Sequence, residues 1–82
     1  MKIKYFAWLK SITDINEEEI SKSNINDIKS LKNYLCKKYP ELKKHIIKDD
    51  IIRFAVNLKY TTKNEKLKDK DEVALFPPVS GG

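Results

Sequence analysis

The sequence predicts an α+β domain in which one principal helix packs on one face of a mixed sheet. Three observations carry this prediction. The run Ile51–Asn57 alternates Ile52, Phe54 and Val56 against Arg53, Ala55 and Asn57, the pattern of a half-buried central strand. Ile28, Leu31, Leu35 and Tyr39 recur at i, i+3, i+7 and i+11, which puts them on one stripe of a helix. The other apolar runs complete the order strand, strand, helix, strand, short strand, strand, with no internal repeat and no linker.

Taken in order, Lys2–Leu9 reads as the first strand, with Ile3, Tyr5, Ala7 and Leu9 on one face and Lys2, Lys4, Phe6 and Trp8 on the other. Ser11–Asn16 is polar apart from Ile12 and Ile15 and suits a connection. Glu17–Ser21 is expected as a weaker edge strand, because successive glutamates are poor strand formers. Asn26 or Asp27 is placed to cap the free N–H groups of the helix, and Pro40 to stop it. Lys37 and Lys38 then lie near the negative end of the helix dipole. Leu42, Ile46 and Ile47 return the chain to the core through a short irregular or helical turn. Beyond a bend at Asn57, Leu58–Thr61 makes a short strand, Thr62–Asp71 a polar loop pinned by Leu67, and Glu72–Phe76 the last strand.

One helix covers one face of a sheet only. The covered set is expected to be Ile3, Tyr5, Leu9, Ile52, Phe54, Val56, Val73 and Leu75, closing on Ile28, Leu31 and Leu35. Phe6, Trp8, Ala55, Ala74 and Phe76 are left on the opposite face. If the first and last strands are neighbours, these residues form an exposed apolar patch, and patches rich in aromatics mark protein interfaces. The competing expectation is a cover of loops, for which few residues are left over.

The composition limits the classes open to the chain. At 82 residues it is one small domain, which buries only about 60% of its unfolded surface and needs a single tight core. With 40% hydrophobic and 35% charged residues it is expected to be a folded globule and not a disordered segment. The lone cysteine, Cys36, excludes an internal disulfide. Met1–Lys10 has neither the apolar run of a secretory signal nor that of a membrane span, so the cytoplasm is the expected compartment. The net charge of +5 invites a nucleic-acid reading, but Asp and Glu are interspersed with the lysines, as in Lys63–Glu72, which is the pattern of a solvated mixed-charge surface.

The last six residues, Pro77-Pro78-Val79-Ser80-Gly81-Gly82, stand apart from the domain of residues 1–76. The only two glycines of the sequence are here, although glycine normally serves turns. The prolines lack N–H donors and hold φ near the polyproline value, so the segment continues no central strand. Extended, it reaches roughly 20 Å. Such a tail presents a backbone without Cβ atoms at residues 81 and 82, able to pass a narrow channel. The plain alternative is a disordered terminus, and a tail mobile when free is compatible with both readings.

Other candidates for chemistry are thin. Cys36 flanks the helix stripe without a histidine on its helix and reads as a packing residue. His45, in a lysine-rich stretch, reads as a solvated side chain. No Cys/His cluster suggests a metal site, and no glycine-rich loop suggests nucleotide binding. Asp49-Asp50 and Asp69-x-Asp71 read as turn residues.

The ending Asp71-Glu72-Val73-Ala74-Leu75-Phe76-Pro77-Pro78-Val79-Ser80-Gly81-Gly82 resembles that of the small-subunit family of molybdopterin synthase, the MoaD family. Tyr5-Phe6-Ala7, the helix ending before Tyr39-Pro40, Ala55-Val56-Asn57 and Leu67-x-Asp69 recur in that family's order, so the resemblance spans essentially the whole chain. It implies a ubiquitin-like β-grasp fold. It further implies that the carboxylate of Gly82 is adenylated by a MoeB-like, ATP-dependent activating enzyme and converted to a thiocarboxylate. The sulfur then builds the dithiolene of molybdopterin from cyclic pyranopterin monophosphate. No cofactor is expected to stay bound, and ATP is consumed by the activating enzyme. Phe6, Trp8, Ala74, Phe76, Pro77, Pro78, Val79, Ser80 and Gly81 are the expected partner-binding residues, in a complex of two small and two large subunits. A separate enzyme would donate the sulfur, and the catalytic groups would sit on the partners. Members usually carry glycine at the position of Lys70 and often one after the first strand. Without them, either a non-glycine residue adopts φ > 0 or the turn changes type.

Two other readings stay open from sequence. A carrier for another pathway (thiamin thiazole or cysteine synthesis), or a modifier conjugated to lysines, shares the fold, while the Phe-Pro-Pro ending favours the molybdopterin role. A small basic nucleic-acid-binding module would need basic residues interleaved with aromatics on one face, whereas Phe6, Trp8 and Phe76 lie among alanines.

Overall fold

The alternation read in Ile51–Asn57 and in Glu72–Phe76 places two strands side by side near the middle of a five-stranded sheet. The computed structural model describes residues 1–21 and 23–78. Its strands are β1 (Lys2–Tyr5), β2 (Glu17–Glu19), β3 (Arg53–Val56), β4 (Lys59–Thr61) and β5 (Glu72–Phe76), arranged β2-β1-β5-β3-β4. β1 and β5 run parallel, with Tyr5 opposite Leu75, and the other pairs are antiparallel. First and last strands are therefore neighbours, as the patch argument required, and the α+β class holds.

The main helix, α2 (Ile28–Lys38), starts where its cap dictates. Asp27 accepts from the Ser30 N–H at 2.8 Å, and the Asp27 N–H donates to Ser30 Oγ at 3.1 Å, so two free donors are satisfied reciprocally. These bonds hold the Asp27 carboxyl below its ordinary range. Pro40 divides α2 from the short α3 (Pro40–Lys43) by forcing Tyr39 out of the helical region, at φ −125° and ψ 85°. A π-helical turn, Lys44–Lys48, follows and brings Ile46 into the core beside Leu42. Ile47, expected to return with them, is 54% exposed, because the turn spends its inward positions on its neighbours.

The covered face matches its expected composition. Ile3, Tyr5, Leu9, Ile52, Phe54, Val56, Val73 and Leu75 are all buried, together with Ile28, Leu31 and Leu35 of α2. Each fully buried aliphatic side chain contributes roughly 1.5–3 kcal/mol. The loop before β5 is pinned by buried Leu67, whose N–H donates to the Asn26 carbonyl, and Asn64 Oδ1 accepts from the Lys29 N–H at the start of α2.

The first strand is shorter than the alternation implied. β1 ends at Tyr5, Ala7 takes φ 56°, and Leu9–Thr13 forms a short helix, α1, where a strand end and a polar connection were expected. Leu9 is buried all the same, so alternation named the right residue for the wrong reason. Thr13 Oγ1 donates to the Ile15 carbonyl and Asp14 takes φ 65°, which turns the chain into β2. β2 itself stops at Glu19, short of Ser21. Lys70 is not among the described residues with positive φ. There the turn is built from the Asp71 carboxylate instead, which accepts from the Lys68 N–H at 2.8 Å and from Asn57 Nδ2 at 3.0 Å. Positive φ falls on Ala7 and Asp14 after β1, and on Asp50, Asn57 and Leu58.

Candidate functional site: the open sheet face at the root of the tail

The face turned away from α2 can be read row by row from the strand register. Lys4, Ala74, Ala55 and Tyr60 stand opposite one another across four strands. In the next row Phe76 stands opposite Arg53, and the Phe6 N–H donates to the Leu75 carbonyl at 3.1 Å, which sets Phe6 beside Phe76. The two alanines leave a shallow floor, rimmed by Phe6, Phe76 and Tyr60. Phe6 and Tyr60 are 46% and 56% exposed, and the Tyr60 and Phe76 rings lie 6.3 Å apart. Towards the other end the face turns polar, with ion pairs Lys4–Glu72 and Lys2–Glu17 both at 3.5 Å. The aromatic end is thus the end at which β5 delivers the chain to half-buried Pro77 and exposed Pro78. Among the described residues nothing covers it.

Trp8 is corrected. It does not continue the alternation of β1, because the strand has ended and the backbone has turned at Ala7. It precedes α1 and packs edge-on against His45 of the π-helical turn, ring centroids 4.8 Å apart. His45 is correspondingly half-buried and not the solvated side chain expected of it. Phe6, Ala74 and Phe76 are brought together as expected. Val79, Ser80, Gly81 and Gly82 lie outside the described residues.

One residue of the patch was missed in the sequence: Tyr60 enters it through β4. Outside the patch, Leu58 stands in the two-residue hairpin between β3 and β4, at the Glu72 end of the sheet, 89% exposed. Asn57 and Leu58 both take positive φ, 51° and 70°, the geometry of a primed turn in which glycine normally follows asparagine. A leucine in that conformation costs about 1–2 kcal/mol. The available signal was the spacing of two β-rich runs by the pair Asn57-Leu58. Leu58→Gly is expected to raise the unfolding temperature by about 2–6 °C, the larger backbone freedom of glycine offsetting part of the relieved strain. Calorimetry checks this, and an unfolding temperature below wild type would reveal an intramolecular role that its exposure argues against.

A second polar cluster fixes the edge of the sheet. Glu18 points from β2 to the helix side, where Tyr5 Oη and Tyr39 Oη donate to its Oε2 at 2.6 and 2.5 Å and Lys38 pairs with its Oε1. Burial alone would push the Glu18 carboxyl up, but bonds from Lys38, Tyr39 and Tyr5 outweigh it and hold the group below its ordinary value of 4.5. Burial, with the carboxylate beside it, pushes the Tyr5 phenol far above 10.0. The glutamates that looked like poor strand formers therefore include one that ties β2 to the end of α2. Glu18→Leu leaves both phenol hydroxyls without their acceptor and is expected to cost about 2–3 kcal/mol. Because the folded-state value of Glu18 is lowered, its contribution is full above 4.5 and is lost as pH falls through that lower value. Urea titrations at neutral and acidic pH should show the wild type and variant converging only at the acidic end. A constant gap across that range would assign the loss to packing instead.

Cys36 is half-buried at the flank of the core, and burial pushes its thiol up, away from the thiolate needed for sulfur exchange. Among the described residues no group of three or more His, Cys, Asp or Glu is placed to hold a metal ion. No helix there is long and apolar enough to cross a membrane.

A mixed five-stranded sheet with one main helix on one face, and a chain that leaves its last strand through Pro-Pro beside an open aromatic face, defines a ubiquitin-like β-grasp protein. The chain belongs to the ThiS family, whose profile matches residues 3–82. It is 32% identical to the molybdopterin synthase sulfur carrier subunit of Chlamydomonas reinhardtii, over 100% of this chain and 98% of that one. It is also 32% identical to the protein so named in Mycobacterium tuberculosis, over 100% and 96%. Solved structures share the fold. The putative molybdopterin converting factor subunit 1 of Pyrococcus furiosus superposes with a TM-score of 0.80 at 32% identity, covering 95% of each chain. The small archaeal modifier protein 1 of Methanosarcina acetivorans gives 0.81 at 31% identity, over 99% and 94%. A chain in the complex of subunits 1 and 2 of the molybdopterin-converting factor of Helicobacter pylori gives 0.70 at 28% identity, over 99% and 96%.

Proposed function

We propose that this chain is the sulfur-carrier small subunit of a molybdopterin synthase. The observation that carries the reading is the open face of Phe6, Ala55, Tyr60, Ala74 and Phe76, lying where β5 hands over to the Pro-Pro tail. A partner seated there would receive the tail directly. Support comes from the curated relatives named as sulfur carrier subunits and from the Helicobacter pylori structure, in which a similar chain is paired with a second subunit.

The chemistry asks little of the domain and much of its end. A carboxylate is a poor electrophile, being negative and lacking a good leaving group. In the proposed cycle the Gly82 carboxylate attacks the α-phosphate of ATP on an activating enzyme, releasing pyrophosphate and leaving a mixed anhydride. Hydrosulfide released by a donor enzyme displaces AMP and loses its proton to give the thiocarboxylate. Its sulfur attacks cyclic pyranopterin monophosphate in the pocket of the large subunit, and hydrolysis of the acyl–sulfur bond leaves sulfur on the substrate and restores the Gly82 carboxylate. Gly81 and Gly82 leave the backbone slim enough for that pocket, while Pro77 and Pro78 reduce the freedom lost on insertion. Two small and two large subunits would complete the synthase, in the cytoplasm.

Intact mass after co-expression with the activating enzyme and a sulfur source tests the reading. Replacement of oxygen by sulfur adds about 16 Da, confined to the C-terminal peptide. Conjugation of Gly82 to lysines of other proteins, with no such mass gain, would favour a modifier role, a reading that the similarity to the small archaeal modifier protein keeps in view.

A further inference from the structure

A groove runs beside the aromatic face, around the β4 edge of the sheet. Its larger hollow, 330 Å³, has Ile52 and Phe54 in its floor and Lys32, Arg53 and Lys63 in its walls. A smaller hollow of 170 Å³ shares Lys32 and Lys63 with the first and extends it towards Lys29. The one carboxylate lining either is Asp50, and Arg53 Nη1 donates to the backbone carbonyl of that residue at 2.9 Å. Among the described residues, none of Lys29, Lys32, Arg53 and Lys63 forms an ion pair, whereas Lys2, Lys4 and Lys38 each do. Lys32 Nζ lies 5.4 Å from the centre of the Phe54 ring instead.

We infer that this groove receives an acidic, extended segment of the protein that covers the aromatic face. Four cations around hollows lined by a single carboxylate make a positive field that calls for negative charge. Two adjoining hollows, which share Ile28, Lys32, Thr62 and Lys63, suit an extended chain better than a compact anion. Tyr60 lines the groove while its ring lies 6.3 Å from that of Phe76, so the groove continues the open face and one partner can occupy both. Charge at the rim of an interface acts chiefly by steering approach, and so on the association rate. The inference rests on the docking role proposed for the open face.

The test is the association rate of the molybdopterin synthase large subunit, measured by stopped flow at low and high salt. The groove pair Lys32→Glu with Lys63→Glu is compared with Lys37→Glu and Lys44→Glu, an exposed pair outside the groove with the same change in net charge. The groove pair is expected to slow association roughly tenfold at low salt and to flatten its salt dependence, the control pair by less than about threefold. Circular dichroism confirms that both variants fold. Equal effects of the two pairs, or none, would overturn the groove while leaving the docking face intact, provided binding remains sensitive to Phe76→Asp. No binding by the wild type would overturn both. Groove-dependent capture of a short oligonucleotide, with large-subunit binding unchanged, would assign the cations to nucleic acid instead.

Discussion

Removing Gly82 is expected to abolish sulfur transfer, by more than about a hundredfold, while moving the unfolding temperature by no more than about 2 °C. The reason for the separation is spatial. Among the described residues the buried core runs from Met1 to Leu75, and every member lies before Pro77. Gly82 contributes the proposed reacting carboxylate. Truncation also leaves Gly81 as the terminal group, one residue short of the depth that the activating enzyme and the large subunit would measure. Single-turnover sulfur transfer and calorimetry on the same sample read the two effects. Retained transfer would sink the carrier assignment, and a large fall in unfolding temperature would mean that the tail is part of the fold.

Phe76→Asp is expected to weaken association with the large subunit by roughly 30- to 100-fold, the loss typical of a central aromatic anchor. The side chain lies half-buried on the open face next to Tyr60, so aspartate puts a charge where a partner would desolvate it. It replaces no core residue, and the variant should fold. Trp8→Ala makes a sharp comparison. Were Trp8 on the open face, as the simple alternation of Lys2–Leu9 implied, it would cost about as much as Phe76. Packed on His45, it should cost markedly less. Calorimetric titration of the two variants decides between the placements, and unaltered binding by Phe76→Asp would remove the face as the docking surface.

What depends on local periodicity, and on residues that break it, can be read from the chain alone. The bounds of α2 follow from Asp27 and Pro40, whose effects reach only a few residues. The last strand and the buried positions of β3 follow from period-two alternation, and the distinctness of the tail from prolines that cannot join a ladder. The family ending was legible for the same reason, as a contiguous run of residues. The packing of the whole domain set where β1 stops, because nothing local marks Ala7 for positive φ. It also decided that Glu18 meets Tyr5, Tyr39 and Lys38, contacts that span 13 to 21 positions of sequence. The same holds for the partners of the open face. Tyr60 reaches Phe76 only because β3 pairs with both β4 and β5, and Trp8 leaves for His45 only because α1 turns it away. Strand pairing and backbone turns at non-glycine residues are settled by the packing of the whole domain, and that packing sets which side chains surround the root of the tail.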